Sequence, residues 1–223
     1  MKYIILANSS NGFDIPKQLS VINGEKLICR TIRLLKENGI KNIIISSKDK
    51  RFDNLGAKRH TPLLNNYDEK QEKSHWVKAF PIELMTEPVV FLFGDVYYSE
   101  NAIKTIIEKD NHNILFFFNP GQNEKYIKKW EEPLAWKIYN IDKFIYHIYK
   151  LIDMWNNNQT WRRPINWEIY RSINGLDVNV HKLKDNYILI NDESCDVDEL
   201  DDIKKIEMII GEKNDKITSI RRL

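Results

Sequence analysis

The chain is predicted to fold as a three-layer α/β sandwich around a mostly parallel central sheet, and three observations predict it. Short apolar runs recur at residues 2–7, 43–45, 89–93 and 114–118, as expected of strands buried on both faces. Between them apolar residues keep a helical spacing, first at Leu27, Ile28, Ile32 and Leu35, then at Ala102, Ile103, Ile106 and Ile107. Two of the runs end in small polar or glycine-containing segments, Asn8-Ser9-Ser10-Asn11-Gly12 and Gly94-Asp95. Strand, helix, strand in that order implies right-handed crossovers and a parallel sheet.

Taken in order, the first strand runs into the polar loop at 8–12 and then meets Pro16-Lys17-Gln18-Leu19. The first helix follows Asn23-Gly24 and stops at Asn38-Gly39. Residues 48–73 carry many charges and little periodicity, which predicts loop with short elements. The run 89–93 is the strongest strand, and Ser99 is placed to cap the helix after it. A longer helix is predicted from Phe144, Ile145, Ile148, Leu151, Ile152 and Trp155, a tight turn at Asn174-Gly175, and a short strand at 187–190. Leu200, Ile203, Ile206, Ile209 and Ile210 define a last amphipathic helix, with Gly211 as its expected stop and residues 212–223 as a polar tail.

Bulk properties narrow the function classes. The chain has 223 residues, 34 Lys+Arg against 32 Asp+Glu, and a formal charge of +2. No strong field draws in nucleic acid or an anionic membrane. No apolar run is long enough to span a bilayer, and the N-terminus lacks a secretory pattern, so a cytoplasmic protein is expected. Cys29 and Cys195 are the only cysteines, too few for a disulfide framework or a zinc cluster. The oligomeric state is open, a homodimer being the commonest soluble arrangement.

Several residues are candidates for chemistry. A small polar loop after a first strand, with a lysine on a proline-stiffened segment nearby, suits phosphate binding by backbone N–H groups and an ammonium. Asp95 ends the central strand, the edge where ligands bind in open α/β sheets, and is suited to a divalent cation and triphosphate oxygens; as a turn former it would be structural. Asp196 and Asp198 lie two apart and share a face of an extended backbone. Asp198 can also cap the last helix, and Asp201 and Asp202 suit that helix's dipole. Trp130, Glu131, Glu132, Trp136, Trp161, Trp167 and Glu168 crowd the second half; aromatics beside carboxylates form either a small-molecule pocket or core and rim. The five histidines show no ligand spacing.

Together these stretches resemble the sugar-phosphate nucleotidyltransferases, including the cytidylyltransferases that act on small phosphates. The resemblance rests on Tyr3-Ile-Ile-Leu-Ala7, Pro16-Lys17-Gln-Leu with Asn23-Gly24, Thr31 to Ile40, Phe91-Leu-Phe-Gly94-Asp95, and Asp196-Val-Asp198 before the last helix. It implies a Rossmann-like, GT-A-like sheet in a single domain over 1–223. Residues 1–118 would be the NTP-binding half, 119–190 a small acceptor lobe, and 191–223 the metal-binding segment with the closing helix. The roles it implies are as follows. Leu6, Ala7, Asn8, Ser9, Ser10, Gly12, Ser74 and Gly94 would surround the nucleotide. Lys17 would contact the α-phosphate. Asp95 and Asp198 would hold Mg²⁺, and Glu132, Trp167 and Glu168 would face the acceptor. The loop departs from the family pattern, with one glycine, no Arg or Lys, and Asp14 adding negative charge. Arg51, Lys58 and Arg59 are the candidate substitutes.

The implied reaction is transfer of an NMP, with CMP favoured, from an NTP to a small phosphorylated sugar or alcohol, releasing pyrophosphate. CTP is favoured because Pro16-Lys17-Gln18 and Asp196-x-Asp198 look most like the cytidylyltransferase branch. Two alternatives stay open. A GT-A glycosyltransferase would use a sugar nucleotide, although Asp95-Val96-Tyr97 lacks the second carboxylate of an Asp-x-Asp strand end. A catalytically degenerate relative would bind nucleotide without turnover.

Overall fold

The structure, a computed structural model, describes residues 1–7, 15–63, 80–121 and 130–220, with 212–220 as backbone. The elements in chain order are β1 (Lys2–Leu6), β2 (Val21–Ile22), β3 (Glu25–Lys26), α1 (Leu27–Glu37), β4 (Ile43–Ser46), β5 (Lys58–His60), β6 (Val89–Phe93), β7 (Val96–Tyr97), α2 (Glu100–Glu108), β8 (Ile114–Asn119), β9 (Glu132–Ile138), α3 (Ile141–Asn156), α4 (Asn166–Ile173), β10 (Tyr187–Leu189), β11 (Cys195–Asp196) and α5 (Leu200–Ile220). Seven strands form one sheet in the order β10-β8-β9-β6-β1-β4-β5.

The predicted mostly parallel sheet is present. β1 pairs in parallel with β4 and β6, β4 with β5, and β8 with β10. All five residues of β6 are buried, so its unbroken apolar run is the centre of the sheet. Ser99 caps α2 by accepting the Ala102 N–H at 2.9 Å. Asn38 and Gly39, with Gly39 at φ +81°, close α1.

β9 is the exception that the sequence hides. It lies antiparallel between β6 and β8, where Glu132, Pro133 and Lys137 interrupt its apolar pattern. Each interruption has a local reason. Pro133 stands opposite Phe118, beside the register shift between Phe117 and Phe118, where a missing N–H is tolerated. Lys137 is buried because its ammonium donates to the Ile106, Ile107 and Lys109 carbonyls, a cation at the C-terminus of α2. Because β9 runs against its neighbours, its first residue, Glu132, falls at the edge where the parallel strands end.

A parallel edge strand, β5, supplies one of the short elements expected within the charged segment 48–73. Two further differences have plain causes. Asn174-Gly175 closes α4, a helix the residue pattern had not announced, with Asn174 as its C-cap and Gly175 at φ +66°. Gly211 does not stop α5, which continues to Ile220; this glycine is absent from the left-handed positions that end α1 and α4.

The second half packs into the same core as the first. Phe80, Phe91 and Phe144 form an edge-on and stacked cluster with centroids 4.9–6.4 Å apart. Trp136 lies 4.4 Å from Phe116 and donates its indole N–H to Asn166 Oδ1 at 2.8 Å, as a buried indole requires. Among the described residues no helix is long and apolar enough to cross a membrane.

Candidate active site

A lysine and four carboxylates converge at the C-terminal edge of the sheet. Lys17 stands on a single 3-10 turn, Lys17–Leu19, entered from Pro16 and closed by bonds from the Leu19 and Ser20 N–H groups to the Pro16 and Lys17 carbonyls. Its side chain is buried, and Nζ lies 2.8 Å from Asp95 Oδ2 and 3.1 Å from Asp198 Oδ1. Burial works against the ammonium charge, but Asp95 above all, then Asp198 and Asp196, outweigh it and hold Lys17 above the usual lysine range.

Asp95 is positioned by backbone constraints on both sides. The Gly94 N–H donates to the Leu6 carbonyl at 2.8 Å, and a Cβ on Gly94 would stand 2.8 Å from that same oxygen and 3.1 Å from Gln18. The glycine therefore serves the close approach of the chain to itself at the β1–β6 boundary. Tyr98 closes the other side: its fully buried hydroxyl accepts the Phe93 N–H at 2.9 Å and donates to the Leu134 carbonyl at 2.6 Å. Burial pushes this phenol well above its ordinary value.

Asp196 and Asp198 arrive on a short ribbon. β11 pairs antiparallel with β7, and the Val197 N–H donates to the Asp95 carbonyl at 2.8 Å. The two aspartates, two apart on extended backbone, fall on one side with Glu132. Each of the three offers a carboxylate oxygen, and these oxygens lie within 4.8 Å of one another. Asp202 shapes the turn after them by accepting the N–H groups of Asp198 and Glu199 at 2.9 and 3.0 Å. Below the ribbon, buried Asn119 donates to the Asp192 and Ser194 carbonyls, and Ser99 donates to Asp192 Oδ2 at 2.6 Å.

The structure thus brings together Lys17, Asp95 and Asp198, and adds Glu132 and Asp196 to them. The metal pair expected from the sequence is joined by the Lys17 ammonium, and Glu132, expected at the acceptor, stands with the acidic cluster. A set of hard carboxylate oxygens fits Mg²⁺ or another hard divalent cation. Leu6 and Ala7 are buried at the end of β1, with the Ala7 N–H on the Ser46 carbonyl. Asn8, Ser9, Ser10, Gly12 and Ser74 lie outside the described residues.

Trp167 and Glu168, expected at the acceptor, both lie on α4. Trp167 is packed edge-on against Phe116 and Phe118. Glu168 is wholly buried; Oε1 accepts from Arg162 at 3.0 Å and from Arg171, while Oε2 accepts the Ile165 N–H at 2.8 Å. Both Glu168 oxygens are thus engaged by the protein's own donors. Two of the three proposed substitute cations are likewise engaged, Arg51 with Asp49, and Arg59 with Asp53, Thr61 and the Ser47 carbonyl.

Asp202, Tyr98 and Asn119 were not singled out as site-supporting residues. The available signals were slight: an aspartate four residues after Asp198, a tyrosine closing the Gly94-Asp95 segment, and an asparagine ending an apolar strand.

No family model matches the sequence, and no curated protein matches it. The fold does have relatives among solved structures. A Bacillus anthracis protein assigned as a glucose-1-phosphate thymidylyltransferase superposes with TM-score 0.61 at 12% identity, over 93% of this chain and 94% of that one. The CTP:phosphocholine cytidylyltransferase of Streptococcus pneumoniae gives 0.52 at 18% identity, over 94% and 98%. The inositol-1-phosphate CTP transferase of T. maritima gives 0.53 at 12%, over 93% and 95%. The chain has the fold of these nucleotidyltransferases over nearly its whole length.

Proposed function

We propose that the protein is a nucleotidyltransferase that transfers an NMP from an NTP to a small phosphorylated acceptor. One observation carries this reading: a buried lysine and four carboxylates, drawn from four separate segments, meet at the C-terminal edge of a nucleotidyltransferase-type sheet. An oxygen of the acceptor phosphate attacks the α-phosphorus of the NTP, the bond to the bridging oxygen breaks, and pyrophosphate leaves. Asp198 with Glu132 and Asp196, and Asp95 alongside, would hold a divalent cation, Mg²⁺ in our reading, which neutralises phosphate oxygens. Lys17 supplies a positive charge, its pKa held above the usual lysine range by Asp95, Asp198 and Asp196 against the effect of burial. Its burial keeps that charge oriented and weakly screened, so it acts on charge developing at the α-phosphate without reorganisation. Tyr98, Asp202 and the Asn119–Asp192 contacts hold the carboxylates in place by locking backbone.

CTP is the donor we favour, from Pro16-Lys17-Gln18 and the Asp196-x-Asp198 ending; two of the fold relatives named above are CTP-using enzymes by name. The test is pyrophosphate release from CTP, UTP, GTP, ATP and dTTP, each with Mg²⁺ and a panel of phosphorylated sugars and alcohols, beside thermal shift with each NTP. A nucleotide at about 100 Kd adds about 2.7 kcal/mol of stability. One NTP that stabilises and releases pyrophosphate with one acceptor class supports the proposal. Stabilisation by a sugar nucleotide alone, or NTP binding with no turnover on any acceptor, rejects it.

A further inference from the structure

We propose that Lys17 is an internal counter-cation that competes with the metal for Asp198, so that the free protein binds a divalent cation weakly and the cation enters together with the nucleotide. This rests on the nucleotidyl-transfer reading for the nucleotide's part; the competition itself rests on geometry. The Lys17 ammonium lies between Asp95 and Asp198, in contact with both. Asp198 is also one of the three carboxylates whose oxygens converge within 4.8 Å. A cation bound to that cluster therefore shares Asp198 with an ammonium already in contact with it, and two positive charges on one carboxylate oppose each other.

The two partners of the contact differ in freedom. Lys17 is held by a proline-led turn and is only 11% exposed at its side chain, whereas Asp198 is 46% exposed. The contact can thus be broken from the Asp198 side without unpacking the lysine. Nucleotide supplies the reason to break it: an α-phosphate oxygen offers the ammonium a charge-assisted partner in exchange for Asp198. Releasing Asp198 completes the acidic cluster for the metal. Cation and nucleotide then favour each other's binding by the same factor.

The experiment is a Mn²⁺ titration without nucleotide, followed by electron paramagnetic resonance of the free ion, on the wild type, Lys17→Met and Lys17→Arg. Lys17→Met should bind Mn²⁺ roughly tenfold or more tightly than the wild type, since a like charge has been removed from the site. Lys17→Arg, which keeps the charge, should stay near the wild type. Lys17→Gln serves as a second neutral variant, and the melting temperature of each confirms folding. Mn²⁺ should raise the melting temperature of the neutral variants more than that of the wild type. Equal Mn²⁺ affinity in the wild type and both neutral variants overturns the competition. That result with intact NTP-dependent pyrophosphate release by the wild type leaves the proposed activity standing. A gain in Mn²⁺ affinity in the neutral variants, with no pyrophosphate release by the wild type, upholds the competition and overturns the activity.

Discussion

Two of the charge clusters in this molecule, each joining one ion to two of the opposite sign, make an instructive pair. One joins Lys17 to Asp95 and Asp198; the other joins Glu168 to Arg171 and Arg162. They differ in how far their oxygens are committed and how far solvent reaches them. Glu168 is 1% exposed, and both its oxygens accept from the protein. Asp198 is 46% exposed and belongs to a wider group of carboxylates with Glu132 and Asp196. The first arrangement commits its carboxylate to the protein's own donors. The second leaves a carboxylate, Asp198, within reach of solvent, as the proposed cation and phosphate chemistry requires. Burial and partner saturation therefore separate structural charge from chemical charge more sharply than residue type does.

The comparison can be broken by substitution, most severely at Glu168. Glu168→Ala leaves the Arg171 guanidinium buried without its carboxylate and should cost about 3–5 kcal/mol of stability, read by urea denaturation. A Glu168→Gln variant that keeps its melting temperature but loses turnover would show that the two clusters had been assigned the wrong way round.

At the other cluster the expected damage is to rate. Lys17→Ala should lower turnover by roughly 10²–10³, as losing one preorganised charge-stabilising donor does, and Asp95→Ala by at least as much. Near-wild-type turnover in either would remove that residue from the proposed chemistry. Their stability should change less than that of Glu168→Ala.

A third contrast lies in pH. His147 is buried on α3 with Nδ1 2.8 Å from Ser172 Oγ. Burial, then Lys150 and Lys143, lower its pKa to about 4. The unfolded chain binds the proton at higher pH than the folded one, so stability falls as pH drops from about 6.5 toward 4. The loss is on the order of 3 kcal/mol at most. Melting temperatures across that window should fall in the wild type and flatten in His147→Phe; parallel slopes in the two would exclude His147 as the source. Lys17 stays charged over the same window and adds no slope of its own.

The smallest effect is expected at Ser99. Ser99→Ala removes the cap of α2 and the bond to Asp192, and should cost about 1 kcal/mol, with turnover per folded molecule barely altered. A loss of turnover well beyond the loss of stability would make the Ser99–Asp192 contact part of the site's positioning.

Much of this was legible in the residues. The apolar runs announce β1, β4, β6 and β8, because a strand buried on both faces has no polar side to interrupt it. The helical spacing announces α1, α2, α3 and the start of α5. Asp95, Asp198 and Lys17 could be singled out because a strand end and a proline-led turn are local features. β9 and α4 were not legible. Lys137 and Glu132 break the strand pattern for reasons that lie elsewhere, in the carbonyls of α2 and in the acidic cluster. Glu168 reads as a surface or pocket carboxylate until Arg171 and Arg162 are seen around it.

The sequence by itself determined the class of fold, the identity of the strand-end carboxylate and the pairing of Asp196 with Asp198 on one face. All three follow from periodicity within a few residues, where the backbone repeat decides which side chains share a side. Only the tertiary structure decided that Lys17 meets a carboxylate 181 residues away. It also decided that an inserted antiparallel strand brings Glu132 to the same edge, and that Glu168 is enclosed. These are consequences of which strands lie beside each other, and no local repeat along the chain encodes the neighbour across the sheet.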